Sequence, residues 1–90
     1  MSTALPSYTS GTSEKPLIGM TIGDMFDRTA ERFPDNDALI ALHQNIRWTY
    51  REFQQKVNQC ARALLAIGVK PGDRVGIWSP NRYEWTVTQF

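Results

Sequence analysis

The stretch Arg47-Trp48-Thr49-Tyr50-Arg51-Glu52-Phe53, RWTYREF, decides how this chain folds, because the pattern of the sequence changes inside it. Up to Thr49 the residues IRWT are apolar and β-branched enough for a strand. After it, apolar residues recur at helical spacing. Thr49 and Glu52 are a hydroxyl and a carboxylate three residues apart, and two readings compete for them: chemistry or a folding signal. The spacing favours the second. A Thr at the N-cap accepts a hydrogen bond from a free N–H in the first helical turn, and a Glu at the third helical position reaches back to the Thr backbone N–H, which together make a capping box.

The helix that starts there places Phe53, Val57, Cys60, Ala61, Leu64 and Leu65 on or near one face, with Gln54, Lys56, Asn58, Gln59 and Arg62 largely opposite. It is predicted to run to about residue 67, where Gly68 takes a left-handed conformation and Pro71 prevents resumption. Pro71-Gly72-Asp73 is a turn. The segment RVGIWS, with Val75, Ile77 and Trp78, reads as a strand in a sheet interior, and Gly76 inside it would permit close backbone approach. Asn81 followed by Glu84 repeats the spacing of Thr49 and Glu52, so a further helix is expected from about residue 82. Nine residues with no terminating Gly or Pro are short for an isolated helix, so the chain reads as the opening of a larger α/β protein.

Upstream, Thr21 and Asp24 mark a helix start. Ile22, Met25, Phe26, Thr29, Ala30 and Phe33 follow at helical spacing, and Pro34 ends the run, which predicts a helix over 22–33. ALIAL at 38–42 and IRWTY at 46–50 are two short strands joined by His43-Gln44-Asn45, a hairpin without a turn glycine. Residues 1–19, rich in Ser, Thr, Pro and Gly, read as an extended N-terminal arm.

The 90 residues are 41% hydrophobic and include three Trp, enough for one small core, although a chain of this size buries only about 60–65% of its extended surface. Ten basic residues against nine acidic, with the signs interspersed, argue against an electrostatic nucleic-acid binder. No run is long enough for a membrane span. The arm lacks the basic start and apolar centre of a secretory signal; it has no Arg and does contain Glu14, so a cytoplasmic chain is expected. The lone Cys60 excludes an internal disulfide framework and reads as a structural thiol.

The sequence assigns no catalytic, cofactor-binding or metal-binding residue. It holds no glycine-rich phosphate loop, nucleophile elbow or thiol pair. His43, the one histidine, is expected exposed in the hairpin turn. Asp24, Asp27 and Glu31 lie at spacings that put them near Arg28 and Arg32, a solvated and partly charge-paired face. Arg74 and Arg82 are expected at the surface or beside a carboxylate. Ser79 and Asn81 follow a strand end, the place where open α/β sheets bind ligands, but capping already accounts for Asn81.

Taken together, TIGDMFDRTAERFPDNDALIAL, WTYREFQQKVNQCARALLAIGVKPGDRVGIWSPN and YEWTVTQF resemble the N-terminal part of an adenylate-forming (AMP-binding) acyl-CoA synthetase, and look most like the medium-chain or broad-range fatty acyl-CoA ligases. The likeness covers 20–90. Thr49 to Phe53 matches the family's first short signature and Pro71 to Asn81 its following strand and turn; Trp48 before the Thr, and Phe53 where Leu is frequent, are apolar departures. The resemblance implies an α/β fold in which 20–90 opens the large N-terminal AMP-binding domain, the rest of that domain and a mobile C-terminal domain lying beyond. It implies ATP-dependent activation of a fatty acid as an acyl-adenylate and transfer to CoA, with ATP, CoA and Mg²⁺ as cofactors, a carboxylic acid substrate and a homo-oligomer among the partners. The family's phosphate loop, ribose-binding acid, acyl pocket and catalytic lysine fall beyond residue 90, so this segment is expected to be inactive scaffold. A stand-alone interaction module, an aryl-CoA ligase or an adenylation domain are the competing readings.

Overall fold

The computed structural model describes residue 11 and residues 14–90. Of the expected arm, residues 14–19 are exposed and belong to no helix or strand, while 1–10, 12 and 13 lie outside the described residues. The order is α1 (Ile22–Arg32), β1 (Asp37–Ala41), β2 (Ile46–Thr49), α2 (Tyr50–Ala66) and α3 (Tyr83–Gln89).

Helix α1 begins where Thr21 Oγ1 accepts the Asp24 N–H at 3.1 Å. It turns Phe26 and Ala30 into the core and closes before Pro34 with the Phe33 N–H on the Thr29 carbonyl. The hairpin pairs antiparallel, Leu39 opposite Trp48 and Ala41 opposite Ile46, with an irregularity between Asp37 and Leu39. Its link is a single 3-10 turn, Leu42–Gln44, followed by Asn45 at φ 55°. Asn takes the left-handed position that the sequence offers no glycine for, which its short polar side chain tolerates.

Strand β2 passes into α2 without a loop. The capping box is present in both directions: Thr49 Oγ1 accepts the Glu52 N–H at 3.2 Å, and Glu52 Oε1 accepts the Thr49 N–H at 3.1 Å. The first two helical donors are met from elsewhere, Tyr50 N–H on the Asn36 carbonyl and Arg51 N–H on the Pro34 carbonyl, both 3.0 Å. The α1–β1 loop thus completes the N-terminus of α2, and no donor of its first turn up to Glu52 is left without an acceptor. At the other end Gly68, at φ 95°, donates to Leu65 O and Val69 donates to Leu64 O, each at 3.1 Å, the paired closure of a Schellman motif. Pro71-Gly72 follows as a turn with Gly72 at φ 89°, closed by Asp73 N–H on Lys70 O.

Phe26, Phe53, Val57 and Val87 form the core, so α1, α2 and α3 meet over one side of the hairpin. Phe26 packs edge-on to Phe53 at 5.0 Å between ring centroids, and Phe90 closes on both, 5.0 Å from Phe26 and 5.9 Å from Phe53. Trp48 stacks on Phe53 at 6.4 Å and meets Tyr83 edge-on at 5.0 Å.

The structure differs from the sequence reading in three places. Only the first half of α2's apolar face is covered: Phe53 and Val57 are buried, but Ala61 is exposed and Leu65 is 68% exposed. Residues 74–79 occupy the place of the expected sheet strand, between α2 and α3, without a ladder; the only sheet among the described residues is β1 with β2. A strand is defined by its partner, and none among the described residues pairs with this segment. Trp78 is consequently fully exposed, and a Cβ at Gly76 would meet nothing within 4 Å, so no close backbone approach is made there. Finally, Asn81 does not cap α3. The N-cap is Arg82, which places Glu84 at the second helical position instead of the third, out of register for a capping box.

Candidate functional site

Among the described residues, an open groove of about 350 Å³ lies between the hairpin and the start of α3. Leu39, Ala41, Leu42 and His43 form one wall; Asn81, Arg82, Tyr83 and Thr86 form the other. Beside it, Gln44 bridges the hairpin turn and the start of α3. The Gln44 side chain, projecting from the 3-10 turn, accepts the Tyr83 N–H on Oε1 at 2.9 Å. Its Nε2 donates to both carboxylate oxygens of Glu84 at 3.4 Å. Glu84 also receives Arg82 Nε at 3.1 Å. That guanidinium hydrogen bond, with a smaller contribution from Gln44, holds the Glu84 carboxyl at about 2 against an ordinary 4.5, and Glu84 in turn raises Arg82.

Chemically the groove is an open, mixed polar and apolar concavity beside a neutralised charge pair. It contains no nucleophile hydrogen-bonded to a base, and its one arginine is taken up by Glu84. Among the described residues no three His, Cys, Asp or Glu side chains meet at a spacing that could hold a metal ion.

The residues weighed in the sequence are dispersed. His43 is exposed in the hairpin turn and lines the groove. Cys60 is half-buried and free. Arg82 has the carboxylate partner expected of it, in Glu84, whereas no ion pair links Arg28 or Arg32 to Asp24, Asp27 or Glu31 among the described residues. Asp27 instead accepts a hydrogen bond from Gln54 of α2 at 2.9 Å, tying the two helices together. Arg28 and Arg32 line a smaller groove together with Met25 and Phe33, and the Arg32 guanidinium lies 5.2 Å from the centre of the Phe33 ring. Gln44 is the residue that sequence reasoning passed over. Its partners lie 39 and 40 positions away, beyond any local spacing rule. No helix among the described residues is long and apolar enough to cross a membrane.

A capped helix, a hairpin running straight into a second capped helix, and an apolar segment unpaired among the described residues make up a frame, and its sequence has relatives. The model of the AMP-binding enzyme family matches residues 26–90, and the chain belongs to that family. Among curated proteins it is similar to the mitochondrial medium-chain acyl-CoA ligase ACSF2 of Mus musculus, 43% identical over 84 residues, which is 93% of this chain and 14% of the mouse protein. The Danio rerio protein of the same name is 44% identical over 88 residues, covering 98% of this chain and 14% of its own length. The Homo sapiens protein is 40% identical over 84 residues, 93% of this chain and 14% of its own. The chain thus spans about one seventh of the length of these relatives. No solved structure matches it significantly.

Proposed function

We propose that this chain is the opening scaffold of an ATP-dependent fatty acyl-CoA ligase, with 20–90 as the first segment of its AMP-binding domain and 1–19 as an arm. In the whole enzyme a fatty carboxylate would attack the α-phosphorus of ATP to release pyrophosphate, and the CoA thiol would then displace AMP from the acyl-adenylate. Magnesium would neutralise phosphate charge in the first step. Residues 1–90 hold none of these groups and contribute frame only. The reading rests on identities of 40–44% to medium-chain acyl-CoA ligases across 93–98% of this chain. The exposed apolar side chains of Leu65 and Ile67 at the end of α2, and of Val75 and Trp78 in the segment after it, support it in physical terms, since such surface is suited to burial against further parts of a larger α/β domain.

The test is CoA-dependent AMP release by the whole protein across carboxylic acids of graded length. Turnover centred on medium-chain fatty acids is expected. Release only with aryl acids, or none with any acid, overturns the assignment. The compartment is a separate question: the cytoplasmic expectation stands against the mitochondrial one in the relatives' names, and a fluorescent fusion of the whole protein separates them.

A further inference from the structure

Helix α3 has seven residues and an N-cap, Arg82, whose side chain caps nothing. So short a helix without a cap has little reason of its own to form. The missing acceptor comes from Gln44 in the hairpin turn, whose Oε1 lies 2.9 Å from the Tyr83 N while its Nε2 faces the Glu84 carboxylate. Both ends of one amide are used on consecutive residues of α3, and the two parts joined are the opposite walls of the groove.

We propose that Gln44 is a latch that makes α3 conditional on the hairpin: it supplies the cap that the helix lacks and sets the separation of the groove's two walls. The rest of the interface is apolar and less directional. Tyr83 lies against Trp48, and Val87 enters the Phe26–Phe53–Val57 cluster. Packing of that kind gives α3 a place, while the amide gives its first turn a register. Losing the latch should therefore release the first turn of α3 and leave the core cluster standing.

The test is hydrogen exchange, residue by residue, on the protein and on Gln44→Met, which keeps the length and apolar stem of the side chain and removes its amide. Losing a helix cap costs on the order of fivefold in local opening. The expected result is about fivefold faster exchange at Tyr83 and its neighbours in α3, with the amides of α1 and of the first half of α2 unchanged. Gln44→Glu keeps an acceptor for Tyr83 but opposes a second carboxylate to Glu84, so it should loosen α3 as well at neutral pH. Unchanged exchange in α3 for Gln44→Met overturns the latch. So does an acceleration spread equally over α1, α2 and α3, which would mark a general loss of stability, and so does an α3 that is unprotected even with Gln44 in place.

Discussion

The sequence pattern treats Phe53 and Leu65 as equal members of one apolar face, and the structure does not; replacing each by alanine separates the two accounts. Phe53 is 4% exposed and touches Phe26, Trp48 and Phe90. Truncating a buried Phe removes its transfer energy and leaves a cavity in the middle of the cluster, a loss of about 3–5 kcal/mol. A domain of this length has a total stability of about 5–13 kcal/mol, so Phe53→Ala should remove a quarter or more of it and could unfold the chain outright. Leu65 sits three turns further along the same helix but remains 68% exposed. Full burial of a Leu is worth about 1.5–3 kcal/mol, and a third of that, partly offset by the better helix propensity of Ala, leaves less than about 1 kcal/mol for Leu65→Ala. Urea unfolding followed by far-UV circular dichroism, with equal slopes for all three proteins, measures both. A Leu65→Ala loss matching that of Phe53→Ala would refute the reasoning, because it would mean that the second half of α2 is packed in the 90-residue chain. Within a whole ligase the proposed function makes the opposite demand, and there Leu65→Ala should approach the cost of a core truncation.

Two further outcomes follow from the helix ends. Thr49→Ala removes the acceptor for the Glu52 N–H and should cost about 1 kcal/mol in the same unfolding assay, with Thr49→Ser retaining most of it. Glu84, held at about 2 against 4.5 when free, binds fewer protons folded than unfolded in that interval. Its contribution is therefore complete above pH 4.5 and is lost as pH falls toward 2. Glu84→Gln should flatten that part of the acid unfolding profile relative to the native protein, and identical profiles would count against the Arg82–Glu84 pairing.

Features set by neighbouring residues are legible in the sequence. The α2 cap, the Gly68 closure and the Pro71-Gly72 turn each depend on residues within a few positions of one another, and the structure shows all three. The expected helix over 22–33 and the hairpin strands shifted by only a residue or so. At α3 the same spacing rule placed the cap at Asn81, one residue too early, because Thr49-x-x-Glu52 and Asn81-x-x-Glu84 look alike in sequence while the second Glu is drawn to Arg82 and Gln44. Nothing near Gln44 in sequence announces its role, since a turn glutamine acquires one only when a helix 39 residues later is brought to it.

The sequence alone therefore determined where α1 and α2 start and stop and which faces are apolar, because capping, turn geometry and periodicity act over a few residues; the family was legible separately, through the resemblance of its longer stretches. Tertiary structure decided which apolar residues are covered. Phe53 and Val57 meet α1 and α3, while Leu65, Ile67 and Trp78 meet solvent, although their side chains are as apolar as those inside. It also decided that residues 74–79 lack a ladder and that α3 is capped from the hairpin. Burial and strand pairing are relations between distant parts of a chain, and the hydropathy of a residue states only that it can be buried, not that anything is there to bury it.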